Sequence, residues 1–300
     1  MNAPRRAPRR RVDGVLLLDK PLGLTSNAAL QSVRRLYNAA KAGHTGTLDP
    51  LASGLLPLCF GEATKFAGEL LDADKEYVAQ IRLGVTTNTA DAEGEVLATH
   101  PVAVNAERVS AVLASFVGEI MQVPPMHSAL KRDGKALYEY ARQGIEVERQ
   151  PRRVVIHELR MDRLEGDLLA ITVACSKGTY IRTLAEDIGA ALGCGAHLAG
   201  LRRTRIGRLA LAQAVSPVQI EAAEGALRDA LLAPVDTLLA DLPRAELDAT
   251  SAIRLGKGQP VRWNGQPGRF RAYHDGRFLG LCKLDAEGWL APRRLVAEPL

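Results

Sequence analysis

The segment at residues 43–54, GHTGTLDPLASG, contains the residue best suited to chemistry, Asp49. Two glycines three positions apart permit a tight turn before it, and Pro50 after it disfavours helical geometry at Asp49. The apolar neighbours Leu48 and Leu51 can partly remove the carboxylate from water. A carboxylate in such a loop can act as a nucleophile or a general base. The same spacing also fits an N-cap at Asp49 with Pro50 as the first helical residue.

Residues 176–183, SKGTYIRT, carry a second group of candidate side chains. They lie between a predicted strand and a predicted helix, a junction that can direct side chains and backbone donors into one cleft. Tyr180 offers a ring on which a base can stack, and Arg182 offers a fixed cation that can pair with a carboxylate. The alternative is an ordinary first helical turn with a surface arginine and a half-buried tyrosine.

An arginine cluster forms the third candidate, at residues 197–208. Four arginines occupy seven positions with no acid between them, namely Arg202, Arg203, Arg205 and Arg208, and His197 precedes them. Such density suits bidentate contacts with phosphate groups. A solvated charged face explains the same pattern equally well.

Composition limits the kind of protein that can carry these groups. The 300 residues correspond to about two average domains of roughly 100–200 residues, and 47% apolar with 24% charged residues is ordinary for a globular protein. No run approaches the ~18 apolar residues of a membrane span. The four cysteines, at positions 59, 175, 194 and 282, are too sparse for a disulfide framework and include no Cys-x-x-Cys pair. We expect a reduced, cytoplasmic, metal-free protein.

The basic net charge originates in the N-terminus rather than in the body of the chain. Lysine and arginine number 39 and acids 34, but residues 1–12 contain five arginines and no acid. Without that segment, 34 basic residues face 34 acidic ones, so net charge alone does not indicate nucleic-acid binding. The Pro- and Arg-rich segment at 1–12 predicts a disordered tail.

Hydrophobic periodicity predicts a mixture of strands and helices. Strands are predicted at residues 14–18, 76–83, 154–159 and 168–175. Helices are predicted after N-caps at Ser26, Asn105 and Ser216, and over residues 135–143 and 179–192. The first of these helices is expected to extend almost to Gly43. The elements show no regular βαβ alternation, which favours an α+β fold over a doubly wound sheet.

The C-terminal part of the chain has a different texture. Short strand-like runs at 269–273, 277–283 and 289–296 are separated by Asp275-Gly276 and Glu287-Gly288, which are hairpin signals. We therefore expect a β-rich module over residues 245–300, following a larger domain over residues 13–244.

Several motifs, in order, make the sequence similar to the TruB-type tRNA pseudouridine synthases of bacteria. The matching segments are 14–21 (GVLLLDKP), 43–54, 61–66 (GEATKF), 74–77 (DKEY), 128–131 (SALK), 137–144 (LYEYARQG), 176–183 and 192–198 (LGCGAHL). Residues 259–265 (QPVRWNG) and 291–296 (APRRLV) resemble the family's C-terminal PUA-like module. The resemblance implies a mixed, largely antiparallel sheet flanked by helices. It also implies isomerisation of the uridine at position 55, in the T loop of tRNA, without a cofactor or a metal.

The resemblance also implies roles for three residues. Asp49 falls on the family's catalytic aspartate, Tyr77 on the tyrosine that stacks on the target uracil, and Arg182 on the arginine that pairs with the aspartate. It implies further contacts around the uridine at His44, Tyr180 and Leu201, and basic residues near the site at Lys20 and Lys65. Arg202 and Arg203 would bind backbone phosphates. His127 departs from the family, which commonly has an aromatic residue there.

Two alternatives to catalysis on tRNA remain open at this point. A non-catalytic RNA-binding or RNA-folding protein could use the same scaffold, and an unrelated small-molecule enzyme could carry a similar loop. We expect tRNA as the partner, no membrane association, and a monomer, since no heptad seam or long apolar edge indicates assembly.

Overall fold

The computed structural model describes residues 8–128 and 130–297. The strands, in chain order, are β1 Gly14–Lys20, β2 Ala42–His44, β3 Ala52–Phe60, β4 Lys75–Leu83, β5 Val85–Thr87, β6 Val96–Thr99, β7 Gly118–Gln122, β8 Lys131–Arg132, β9 Lys135–Ala136, β10 Arg152–Glu165, β11 Leu168–Cys175, β12 Ala196–Ile206, β13 Leu209–Ala210, β14 Arg244–Glu246, β15 Val261–Arg262, β16 Gly268–His274, β17 Arg277–Leu284 and β18 Trp289–Leu295. The helices are α1 Ser26–Leu36, α2 Ala106–Ser115, α3 Leu137–Ala141, α4 Ile181–Leu192, α5 Pro217–Ala222, α6 Gly225–Asp229 and α7 Ala249–Gly256.

The larger sheet of the described residues has nine strands. Its order is β1-β3-β12-β4-β11-β10-β7, with β2 paired to β3 and β13 paired to β12. The β3–β12 pair is parallel, and the other described pairs of this sheet are antiparallel. Helices α2 and α4 pack against its β4–β11 region, and α1 packs against β1 and β3. The predicted α+β fold with a mixed, largely antiparallel sheet is confirmed.

Strands β1 and β3 are buried on both faces. In β1, Leu16 joins the cluster that includes α1, whereas Val15 joins a second cluster with Leu55 and the short helix at 235–239. A strand covered on both sides reads as a continuous apolar run without alternation. Such a run predicted β1, but β3 was not predicted, because Gly54 and Pro57 interrupt its apolar residues.

The predicted helices are present, but the bounds of α1 and α3 differ. The helix predicted over residues 135–143 covers only Leu137–Ala141, and residues 135–136 form β9 instead. Asn105 and Ser216 cap α2 and α5, as predicted. The residue that caps α1 is Thr25, whose Oγ1 accepts a hydrogen bond from the Ala28 backbone N–H at 3.1 Å, and not Ser26. Helix α1 ends at Leu36, well before Gly43, because Asn38 adopts a left-handed conformation with φ 47°.

The predicted β-rich C-terminal module is a five-stranded sheet in the order β14-β16-β17-β18-β15. Asp275 and Gly276 join β16 to β17 with φ values of 48° and 72°, as the tight turn between twisted antiparallel strands requires. Leu281 of β17 packs in the same apolar cluster as Val15 of β1. The module therefore lies against the larger sheet.

The prediction of a disordered tail is wrong for residues 8–12. The Arg10 backbone N–H donates to the Asn38 carbonyl at 2.9 Å, and its guanidinium pairs with Asp229. Val12 is buried in the cluster around α1. These contacts fix the end of the segment to the body, which composition alone does not reveal. Residues 1–7 lie outside the described residues.

Candidate active site

The Asp49 loop is a fixed turn between β2 and β3. The Asp49 carbonyl accepts from the Ala52 N–H at 3.0 Å, and the Pro50 carbonyl accepts from Gly23 at 2.9 Å. The Ser26 hydroxyl donates to the Leu48 carbonyl at 3.0 Å and accepts from the Leu48 N–H at 2.8 Å. No helix begins at Pro50, so the N-cap interpretation of Asp49 is wrong. The turn leaves the Asp49 side chain 43% exposed, in a cleft.

Arg182, in the first turn of α4, forms an ion pair with the Asp49 carboxylate. Its Nη2 lies 3.1 Å from Asp49 Oδ2 and donates to the His127 carbonyl at 2.6 Å. Its Nη1 lies 3.2 Å from Oδ2 of Asp91. Arg182 and Asp91 are both almost completely buried, so their contact is shielded from water, whereas the contact with Asp49 borders the open cleft. Arg182 contacts the backbone carbonyl of His127. This contact is therefore unaffected by the histidine side chain, which stands where the family commonly has an aromatic residue.

Asp91 is a site residue that the sequence analysis missed. It lies in the turn between β5 and β6, is 3% exposed, and accepts hydrogen bonds from the Thr89 hydroxyl at 2.6 Å and the Glu93 N–H at 3.1 Å. No motif or spacing in its segment distinguishes it from a carboxylate in an ordinary polar turn. Asp91 gives Arg182 a second, buried carboxylate and fixes the direction of its guanidinium.

Tyr77 lies on β4, near the end of the strand that meets the cleft. Residues 79, 81 and 83 of the same face are buried in the core, as the alternation predicts. Burial raises the pKa of the Tyr77 hydroxyl, while the Arg203 charge and its interaction with that hydroxyl act in the opposite direction. The ring and the Asp49 carboxylate line the same cleft.

The cleft has a volume of about 920 Å³, large enough for a nucleotide-sized ligand. It brings together most of the predicted site residues, namely His44, Asp49, Tyr77, Tyr180, Arg182, Leu201 and Arg203. Tyr180 directly precedes α4, and the Gln122 side chain bonds both its N–H, at 3.0 Å, and its carbonyl, at 3.2 Å. The predicted junction between a strand and a helix is present, and its side chains do converge.

Three predicted basic residues, Lys20, Lys65 and Arg202, do not line this cleft. Lys20 is completely buried, and its Nζ donates to the Pro21 and Leu24 carbonyls at 2.9 and 2.7 Å. Burial lowers the pKa of Lys20, and the charge of Asp49 opposes that effect. The Lys65 Nζ lies 2.7 Å from Glu62 Oε2 and 3.0 Å from the Leu295 carbonyl. Both ammonium groups therefore bond to the protein itself.

The predicted arginine patch is not a single phosphate-binding surface. Arg202 bonds to Asp19 at 2.7 Å and Arg205 to Glu76 at 2.9 Å, while Arg208 pairs with Asp241. Arg203 is only 1% exposed. These acids are distant in sequence or lie on neighbouring strands. The absence of acids within residues 202–208 therefore did not reveal them. The expectation that Arg203 binds backbone phosphates is wrong.

No helix in the described part of the chain has both the length and the apolar character needed to cross a membrane. No group of three or more His, Cys, Asp or Glu side chains there could hold a metal ion.

Three family models match consecutive parts of the chain. The TruB family pseudouridylate synthase N-terminal domain matches residues 34–181. The tRNA pseudouridylate synthase B C-terminal domain matches residues 182–240, and the C-terminal domain of pseudouridine synthase II TruB matches 243–296. Together with the fold and the carboxylate cleft, these matches define the chain as a pseudouridine synthase.

Curated relatives and a solved structure resemble the chain over most of its length. The tRNA pseudouridine synthase B of Azoarcus sp. (strain BH72) is 59% identical, covering 98% of this chain and 98% of that protein. The protein of the same name from Aromatoleum aromaticum is 60% identical, covering 97% and 95%. A chain in the crystal structure of a Cbf5-Nop10-Gar1 complex is 26% identical, covers 95% of this chain and 84% of its own, and has a TM-score of 0.71. The chain belongs to the TruB family of pseudouridylate synthases, and it is an isomerase, as predicted.

Proposed function

We propose that this enzyme isomerises the uridine at position 55, in the T loop of tRNA, with Asp49 as the catalytic carboxylate. Relatives that match nearly the whole chain are named tRNA pseudouridine synthase B, which supports tRNA as the substrate. The observation that carries the proposal is the Asp49 carboxylate, which lies in a nucleotide-sized cleft 3.1 Å from a buried arginine. The position within tRNA follows from the resemblance of the motifs.

The proposed reaction detaches uracil at N1 and rejoins it to the same sugar carbon, C1′, through C5. The substrate and product are isomers, so the reaction consumes no water overall and transfers no electrons to a cofactor. A carboxylate beside C1′ can bond to that carbon as a nucleophile, or it can remove a proton and begin an elimination. Both routes start from an ionised Asp49, beside which Arg182 supplies a positive charge.

Tyr77 has two proposed tasks. Its ring stacks on the uracil while the base is detached, a contact typically worth about 1–3 kcal/mol. Its oxygen, after giving its own proton to water, then takes the proton from C5 once the new bond has formed. Because burial raises the pKa of Tyr77, the hydroxyl of the free enzyme carries its own proton at neutral pH.

The target base is stacked inside the folded T loop, so the enzyme must extrude it into the cleft. His44 follows Gly43 on β2 and lies at the same cleft, where it can fill the vacated stack. Burial lowers the pKa of His44, and the nearby Arg203 charge acts in the same direction. In the free enzyme the imidazole is therefore neutral at physiological pH. Arg202 and the C-terminal module are proposed to contact backbone phosphates, which fix the register of the RNA.

The decisive experiment substitutes Asp49→Asn and maps pseudouridine chemically in T-loop RNA. We expect no pseudouridine at position 55, with tRNA binding and the unfolding temperature nearly unchanged, because the amide fills the same space but has no charge. Asp275→Asn makes the same chemical change in an exposed turn of the C-terminal sheet and serves as the matched control.

The outcome separates catalysis from RNA binding alone. A wild-type protein that binds tRNA but forms no pseudouridine would indicate the non-catalytic alternative. Full activity of Asp49→Asn would remove this carboxylate from the mechanism, and modification at another uridine would correct the proposed position.

A further inference from the structure

Arg203 is a buried cation that pairs with no acid among residues 8–128 and 130–297. Its side chain is among the largest fully buried ones, and no described carboxylate forms an ion pair with it. An unpaired charge is costly to bury, and such groups persist where they serve a specific purpose. The mechanism derived above does not use this guanidinium, although it lines the cleft.

The bonds of Arg203 connect the two ends of the Asp49 loop. Its Nε donates to the Leu55 carbonyl at 2.8 Å, and its Nη2 contacts the Gly46 carbonyl at 3.5 Å. Gly46 precedes Asp49 and Leu55 follows it, so a single planar side chain joins the backbone on both sides of the carboxylate. The planar guanidinium is suited to this, because its donors point in fixed directions.

Arg203 also interacts with the Tyr77 hydroxyl, which the register of the two strands brings to the same face of the sheet. The two residues are opposite each other in the β12–β4 pair, and Arg203 faces Gly54 in the β12–β3 pair. A Cβ at Gly54 would come within 2.8 Å of the Arg203 backbone nitrogen and 2.3 Å of its carbonyl oxygen. The glycine thus allows β3 and β12 to approach closely, which brings the Asp49 loop and Tyr77 to the same cation.

We propose that Arg203 is a positioning residue for the isomerisation, which joins the Asp49 loop to Tyr77 and supplies the positive charge beside the Tyr77 oxygen. This inference rests on the proposed function. Its uncompensated charge is directed at an oxygen that must become negative during the reaction. A phosphate cannot replace that oxygen as its partner, because Arg203 is 1% exposed.

This charge assists the transfer of one proton from C5 to N1 of the uracil. The Tyr77 hydroxyl releases its proton to water, and the resulting oxygen anion is stabilised by Arg203. After C5 has bonded to C1′, the C5–H bond breaks, its electron pair stays in the uracil ring, and the Tyr77 oxygen takes the proton. N1 takes up a proton from water, so the overall change is the movement of one proton from C5 to N1.

The test combines Arg203→Met with a measurement that does not depend on activity. 3-Fluorotyrosine is placed at position 77, where its more acidic phenol is titrated by fluorine NMR. We expect Arg203→Met to move this titration to higher pH, because the neighbouring charge is lost. We also expect the single-turnover rate at saturating tRNA to fall by roughly 100-fold, as for a small misplacement of reacting groups, with tRNA affinity unchanged.

Arg203→Lys is the second variant, because it keeps the charge but cannot bond Leu55 and Gly46 with a planar fork. We expect a titration close to that of the wild type and only a partial recovery of the rate. If Arg203→Met does not fold, Arg203→Lys decides alone. Its full wild-type rate would then overturn the inference. Arg163→Met, on β10 next to its turn into β11, makes the same chemical change outside the cleft and is the control.

Two results for Arg203→Met would also overturn the inference. One is an unchanged titration in Arg203→Met. The other is weaker tRNA binding with an unchanged rate, which would make Arg203 a contact for RNA. A wild-type protein that forms no pseudouridine would overturn the proposed function instead, since the fluorine titration does not depend on turnover.

Discussion

At the scale of residues, one guanidinium serves two carboxylates that differ in their surroundings. Arg182 contacts both Asp49 and Asp91, but the Asp49 side chain is 43% exposed and that of Asp91 only 4%. Asp91 is further fixed by Thr89 and by a backbone N–H. The buried carboxylate therefore sets the direction of Arg182, while the exposed one remains accessible to a substrate.

This division of roles predicts the effect of Asp91→Asn. The amide keeps the size of the side chain but removes the charge that fixes Arg182, so the Asp49 carboxylate loses its defined orientation. We expect the single-turnover rate to fall by roughly 10–100-fold while the dissociation constant for tRNA is retained. The measurement is the rate of pseudouridine formation at saturating tRNA.

Asp275→Asn again provides the matched control, since it replaces an exposed acid that does not line the cleft. An Asp91→Asn enzyme with the wild-type rate would show that Arg182 orients Asp49 without help from Asp91. Weaker binding with an unchanged rate would place Asp91 in RNA recognition instead.

At the scale of elements, β12 separates arginines that are adjacent in sequence. Arg202 and Arg203 point to opposite faces, as neighbours in a strand do. A bulge between Arg203 and Arg205 shifts the register, so that Arg205 is exposed although it follows the buried Arg203 by two positions. Arg202 is the half-exposed member beside the cleft residues, where Asp19 and Ser53 hold it.

The position of Arg202 predicts a contribution to RNA binding. We expect Arg202→Ala to weaken tRNA binding and to reduce the slope of log K against log salt by about one unit, as for the loss of one phosphate contact. The rate at saturating tRNA should be retained. The measurement is a series of binding isotherms at increasing salt concentration.

Arg163→Ala is the control for this prediction, because Arg163 pairs with Glu165 at the far end of β10. Equal slopes for Arg202→Ala and the wild type would mean that Arg202 only pairs with Asp19. In that case the phosphate contacts must come from other elements.

At the scale of the whole molecule, polar contacts connect the C-terminal sheet to short helical segments that pack beside the larger sheet. Lys65 bonds to the carbonyl of Leu295, Arg269 pairs with Glu69, and Arg271 contacts Asp236 at 3.1 Å. These contacts surround the apolar cluster shared by the two sheets. These contacts join the C-terminal module to the domain that carries the cleft.

Lys65→Met tests this joint. Removal of a partly buried, charged hydrogen bond should lower the free energy of unfolding by about 1–2 kcal/mol. Both tryptophans, Trp263 and Trp289, lie in the C-terminal part of the chain, so their fluorescence reports on that sheet. We expect the fluorescence transition in urea to precede the loss of circular dichroism, with the isomerisation rate unchanged.

Lys283→Met replaces an exposed lysine of β17 and provides the control. Unchanged unfolding together with a reduced isomerisation rate would contradict the structural role. It would place Lys65 at the active site, as the resemblance of the motif implies.

Local signals in the sequence were sufficient for several features of the molecule. Alternation along β4, the caps at Asn105 and Ser216, and the turn at Asp275 each depend on residues close together in the chain. The ordered motifs identified the family for the same reason, since each is a short segment. Local structure and family membership could therefore be predicted before any contact was known.

Contacts between distant segments were decided only by the tertiary structure. Arg182 and Asp91 are separated by 91 positions, and nothing local to Asp91 indicates its partner. The burial of Arg203 depends on the bulge in β12 and on the close approach of β3, and the position of Lys65 depends on where the C-terminal sheet docks. Periodicity reports which face of an element is buried, whereas strand register and docking decide which charges meet.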